Sequence, residues 1–236
     1  MKNLFIFIFF ALPFMTNAQT HELGVQIGLM NYRGELAPVI NYQDTRQGWG
    51  FFYRANISKA VSLRLNGLYG SIAADDKKST DKFALERNHQ FRTNLWEISG
   101  VLEYNFLNFR NEGRKLRERQ QNFTPYLSGG IGYMQFRPFF NTNPNYDTYS
   151  VIMPLGVGIK FAVGKYFNVG AEFVSRITFT KYLDDLGVIT NKNQIVPNNP
   201  KYYTGNPNRN DAYFFTNITL SYVIPDKKKD CPVIVQ

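Results

Sequence analysis

Between Met153 and Leu186 the chain reads MPLGVGIKFAVGKYFNVGAEFVSRITFTKYLDDL, two alternating stretches joined at Val163-Gly164-Lys165-Tyr166. In the first, Leu155, Val157, Ile159, Phe161 and Val163 share one face, and Gly156, Gly158, Lys160 and Ala162 share the other. In the second, Phe167, Val169, Ala171, Phe173, Ile177 and Phe179 oppose Asn168, Gly170, Glu172, Arg176 and Thr178. Side chains alternate across a strand, so this is a hairpin with one apolar face and one polar, glycine-rich face. A soluble sheet would pack its apolar face on a core. These strands are long, and Lys160, Glu172 and Arg176 share the opposite face, which fits lipid outside and a narrow barrel lumen inside.

Six more alternating stretches accompany the hairpin. Strand one, Glu22 to Tyr32, sets Leu23, Val25, Ile27 and Leu29 against Gly24, Gln26 and Gly28. Strand two, Trp49 to Ser58, sets Trp49, Phe51, Tyr53, Ala55 and Ile57 against Arg54 and Asn56. Strand three, Val61 to Ser71, sets Val61, Leu63, Leu65 and Tyr69 against Ser62, Arg64 and Asn66. Strand four, Phe91 to Phe106, sets Trp96, Ile98, Leu102, Tyr104 and Phe106 against Glu97, Ser99, Glu103 and Asn105. Strand five, Thr124 to Phe136, is rich in glycine and its facing is ambiguous. Strand eight, Ala212 to Ile224, sets Thr216, Ile218, Leu220 and Tyr222 against Asn217, Thr219 and Ser221.

The expectation is an all-β fold, an eight-stranded antiparallel transmembrane β-barrel of the outer-membrane type over residues 19–224. An even strand number puts both termini on the periplasmic side. The short turns at Ser58–Ala60 and Val163–Tyr166 lie there too. The long connections Arg33–Gly48, Ile72–Gln90, Arg137–Thr148 and Lys181–Asp211 become extracellular loops. One connection breaks the alternation: Asn108 to Asn122 is long although periplasmic, and it carries Arg110, Arg114, Lys115, Arg117 and Arg119.

Residues 1–18 read as a signal peptide, with Lys2 as a positive start, an apolar run from Leu4 to Met15, and Thr16-Asn17-Ala18 as the cleavage site. The apolar run is too short to span a bilayer. Its removal lowers the net charge from +9 to +8. That basic balance suits anionic lipid or an acidic protein surface, and export argues against nucleic acid. A mean hydropathy of −0.32 is ordinary for a barrel with a polar lumen and polar loops. Residues 225–236 form a charged periplasmic tail with Lys227, Lys228, Lys229 and the single cysteine, Cys231. A leftover cysteine in an exported chain suggests an intermolecular disulfide with a periplasmic partner, with an inert thiol as the alternative.

Arg54, Arg64, Glu97, Glu103, Lys160, Glu172 and Arg176 all fall on inward positions. Charges inside a narrow barrel need partners, so the expectation is a salt-bridge network that fills the lumen. A proton or ion path is the alternative, and eight strands leave little room for it. Asp75-Asp76 and Asp184-Asp185 read as solvated or loop-pinning acids, because no histidine or calcium-loop spacing accompanies them. His21 lies at a strand start. His89, with Ser79 or Asp81, is the weak candidate for catalysis. Gly129-Gly130-Ile131-Gly132 lacks phosphate-loop spacing and reads as small inward residues of a strand. No catalytic, metal or cofactor site is expected.

Several runs in order resemble one family over nearly the whole mature length. They are HELGVQIGLMNYRGELAP from His21, SLRLNGLYGSIAADD from Ser62, FRTNLWEISGVLEYNF from Phe91, FTPYLSGGIGYMQFRP from Phe123, MPLGVGIKF from Met153 and FTKYLDDL from Phe179. The chain is similar to the PorG-like outer-membrane barrels of the type IX secretion system. That resemblance implies a non-enzymatic outer-membrane component that ties a periplasmic ring, a lipoprotein and its partner, to the membrane. The basic Asn108–Asn122 connection and the tail are the handles it suggests. The competing class is a free-standing small barrel, either a narrow pore or a lipid-modifying enzyme.

Overall fold

The computed structural model describes residues 20–34, 42–58, 60–78, 85, 90–107, 109, 122–139, 147–184 and 210–224. The signal segment, Arg110, Arg114, Lys115, Arg117, Arg119, Lys227, Lys228, Lys229 and Cys231 lie outside them, as do Ser79, Asp81, His89 and Asp185. Eight strands run in order: β1 (Thr20–Arg33), β2 (Arg46–Asn56), β3 (Val61–Asp75), β4 (Gln90–Asn105), β5 (Phe123–Pro138), β6 (Tyr149–Val163), β7 (Phe167–Thr178) and β8 (Ala212–Ile224). Each pairs antiparallel with its neighbour, and β1 pairs with β8 to close the barrel. Closure leaves no unpaired strand edge for a bilayer to contact.

The two short turns have local causes. In the β6–β7 turn Gly164 has φ +63°, a left-handed conformation that glycine adopts without a Cβ clash. Between β2 and β3 the Ser58 hydroxyl accepts from the Ala60 and Val61 amides at 3.3 and 3.0 Å.

Alternation decides the outer surface. Val25, Ile27, Phe51, Leu65, Ile98, Ile131 and Ile218 are each more than half exposed. Aromatic side chains gather at both ends of this apolar band. Trp49, Tyr69 and Trp96 meet side by side in the upper girdle, with ring centroids 5.7 and 4.6 Å apart. Tyr104, Phe106, Phe123, Phe161, Tyr166, Phe167 and Tyr222 make the lower girdle. From Trp96 to Phe106 the chain advances about 33 Å along the strand, or about 25 Å along the membrane normal at a tilt of about 40°. That height matches the apolar band of an outer-membrane barrel.

The strands differ from the expected ones mainly at their upper ends. β3 runs on to Asp75 rather than stopping at Ser71, and β2 starts at Arg46 and ends at Asn56. Ile72 and Ala74 point into the lumen, while Ala73 on the outer wall is nearly buried, so apolar residues on both faces blur the alternation there. In β5 the odd positions face out. Gly129 is therefore on the lipid side, 3.4 Å from Leu155 by its absent Cβ, and only Gly130 and Gly132 fit the inward expectation. Asp76 and Asp184 are 0% and 2% exposed, which corrects the solvated reading in favour of pinned acids.

Candidate functional site

The lumen has two tiers. Toward the end with the two short turns, ionic side chains from β1, β2, β3, β4, β6 and β7 converge. Arg54 lies 2.7 Å from Glu22 and 3.0 Å from Glu103. Arg64 lies 3.1 Å from Glu103 and 2.8 Å from Glu172. Lys160 completes the set 2.5 Å from Glu103. Three cations thus surround one carboxylate. The second carboxylates are held by hydroxyls and amides: Ser221 and Asn56 donate to Glu22, and Ser128 donates to Glu172. Arg54 and Arg64 also rest against the Phe52 ring, at 4.8 and 5.7 Å, and Lys160 rests over Tyr126 at 4.4 Å. Gly158 makes room for Tyr126, because a Cβ there would sit 2.6 Å from the phenol oxygen.

One level higher, Arg176 donates to Glu97 at 2.6 Å, and Tyr213 and Ser99 donate to the same carboxylate at 2.8 and 2.9 Å. Arg176 lies between the Tyr213 and Phe215 rings. Every charged residue expected in the lumen is therefore there, buried and paired. Glu22, Tyr126 and Tyr213 are buried beside them without having been among the expected residues. Glu22 shares inward parity with Gly24 and Gln26, which was the signal for it. With Glu22 these two levels set Glu22, Glu97, Glu103 and Glu172 against Arg54, Arg64, Lys160 and Arg176, so four acids face four bases. Removing either member of such a buried pair costs about 3–5 kcal/mol, because the remaining charge is stranded.

Above this tier the lumen is apolar. Met30, Leu68, Ile72, Leu95, Met134, Phe136, Ile152 and Phe215 form one buried cluster, and Leu183 drops into it from the segment after β7. A polar clasp holds Leu183 there. Tyr32 donates to Asp184 at 2.9 Å and to Asp211 at 2.7 Å. The Leu183 amide donates to Asp211 at 3.1 Å, and its carbonyl accepts from Thr93 at 2.8 Å. The Tyr-Leu-Asp end of the hairpin is thus a stopper tied to β1, β4 and the start of β8. Paired charges below and close-packed apolar side chains above fill the lumen.

Among the described residues no cluster of His, Cys, Asp and Glu is placed to hold a metal ion. His21 faces outward, and its Nδ1 lies 2.6 Å from the Tyr53 hydroxyl at the short-turn end of the barrel.

A family model described as "Domain of unknown function (DUF6089)" matches residues 1–233. No curated protein matches the sequence. Among solved structures the chain is similar to Neisserial surface protein A (NspA), with a TM-score of 0.50, 10% identity, and coverage of 87% of this chain and 99% of that one. It is also similar to the outer membrane protein OprG from Pseudomonas aeruginosa (TM-score 0.42, 9% identity, 88% and 98% covered). The outer membrane enzyme PagL matches with a TM-score of 0.40 and 14% identity over 87% and 99%. The likeness to NspA is one of fold: a small closed barrel of the outer-membrane type.

Proposed function

The chain belongs to the DUF6089 family, and we propose that it is a non-enzymatic outer-membrane component of the type IX protein secretion system. In this reading the barrel is an anchor, and a periplasmic ring of a lipoprotein and its partner attaches to its periplasmic segments. The observation that carries the reading is the filled lumen. Side chains such as Arg54, Glu103, Met30 and Phe215, each 0–1% exposed, occupy the space a solute would need. A barrel without a path through it acts through its surfaces, and its lumen serves stiffness.

The handles are those read from the sequence: Arg110, Arg114, Lys115, Arg117 and Arg119 in one periplasmic connection, and Lys227, Lys228, Lys229 and Cys231 in the tail. Their positive charge complements an acidic ring surface. Cys231 adds an intermolecular disulfide to that contact. Affinity purification from solubilised outer membrane tests the proposal. Recovery of ring components with the wild type, and their loss when the five basic residues of the connection are changed to Glu, supports it. Recovery of a lone barrel with lipid-modifying activity or conductance overturns it. Non-reducing electrophoresis of wild type and Cys231→Ser tests the disulfide, which requires a shifted band in the wild type alone.

A further inference from the structure

The outer wall changes character just above the upper aromatic girdle. On β4 the outward series climbs from Trp96 through Asn94 to Arg92, and on β5 from Tyr133 through Gln135 to Arg137 and Phe139. Asn94 pairs with Arg137, and the Phe139 amide donates to the Arg92 carbonyl at 2.8 Å, so Arg92 and Arg137 are diagonal neighbours on one face. Both are exposed. The Arg92 guanidinium lies 5.8 Å from the Phe139 ring centroid. Neither arginine is tied to a carboxylate among the described residues. The acids nearest by register are Asp147, exposed beside Arg137 at the approach to β6, and Asp75, half-buried and holding the Lys77 amide at 3.0 Å. Around the same rim Arg33, Arg46, Lys77 and Lys181 are exposed, against Asp147 as the exposed acid among the described residues.

We propose that Arg92 and Arg137 form a phosphate-binding site for the headgroup of a phosphorylated glycolipid in the outer leaflet. Two planar guanidiniums side by side offer a fork of N–H donors that matches phosphate oxygens and concentrates positive charge on them. The site's height selects a lipid. It stands about 5 to 10 Å above the Trp96 level along the membrane normal, where headgroups begin, while Trp96, Tyr133 and Ile98 below it meet acyl chains. A headgroup reaching that far above the chains, with its sugar against Phe139, fits a glycolipid better than a phospholipid. The site rests on the outer-membrane reading, with the long connections outside, and does not depend on the secretion role.

Native mass spectrometry of the purified full-length barrel, titrated with diphosphorylated lipid A, tests the site. The wild type should retain the lipid, and Arg92→Gln/Arg137→Gln should weaken retention at least about tenfold. Lys165→Gln, on the periplasmic turn, should leave it unchanged. Dephosphorylated lipid A and phosphatidylglycerol should bind the wild type more weakly. Equal retention by the double variant overturns the site, as does equal loss in Lys165→Gln or equal binding of phosphatidylglycerol. Thermal unfolding of each variant in detergent guards against misfolding. Membrane fractionation reads the location separately, so failure of the outer-membrane reading is told apart from failure of the lipid site.

Discussion

Arg64 on β3 and Glu172 on β7 meet across the barrel axis at 2.8 Å, joining walls that no hydrogen-bond ladder connects. The ladders of a closed barrel link only neighbours, so opposite walls are held apart or together by what fills the lumen. Here the filling is ionic below and apolar above, and each half is testable.

Glu103 faces Arg54, Arg64 and Lys160 together. Glu103→Gln should destabilise the barrel by about 3–5 kcal/mol, since three buried cations lose their common counter-charge. Urea unfolding in detergent or lipid vesicles measures it. Lys160→Met in the Glu103→Gln background should restore part of the loss, because it removes one stranded charge.

The upper tier depends on packing. Phe215 is fully buried in the apolar cluster, and Phe215→Ala should cost about 3–5 kcal/mol through lost transfer energy and the cavity it leaves. The same unfolding assay reads the cost, and a cost near zero would show that the cluster is loose.

Tyr32 is the donor on which the clasp around Leu183 converges. Tyr32→Phe keeps the ring against Phe91, at 4.9 Å, but removes the hydroxyl donor that the Asp184 and Asp211 carboxylates share. Hydrogen exchange at the Leu183 amide should accelerate by about tenfold or more, while exchange within β7 stays as in the wild type. Equal protection in both proteins would show that the Tyr32 hydroxyl does not hold the clasp.

The lipid face should tolerate charge poorly at mid-depth. Ile98→Lys, at a position 67% exposed between the girdles, should cost about 2–4 kcal/mol in a bilayer, whereas Arg137→Gln above the girdle should leave folding stability unchanged. Folding titrations in lipid vesicles compare the two.

The sequence carried the barrel because lipid outside and charge inside enforce a two-residue period, visible at Leu23 to Leu29 or Phe167 to Ile177. The signal failed where that contrast fails. Glycines in β5 have no side chain to declare a face, so Gly129 lies outward against the expectation. At Ile72 to Ala74 the strand rises beside the apolar tier with apolar residues on both faces, so it outruns the alternation and ends at Asp75. The inward charges were legible by parity, except for Glu22 at a strand's edge. The clasp was illegible for a different reason: Tyr32 lies 152 residues from Asp184 and 179 from Asp211, and no local pattern encodes such a meeting.

A lumen filled by paired charges and packed apolar side chains should carry no ion current. Single-channel recording of the full-length protein in planar lipid bilayers tests it most directly. The wild type should give no current steps, with conductance emerging, if at all, only in a variant such as Leu183→Gly/Phe215→Ala that empties the apolar tier. Stable ohmic steps from the wild type, abolished by substitutions at Arg64 or Glu103, would contradict it.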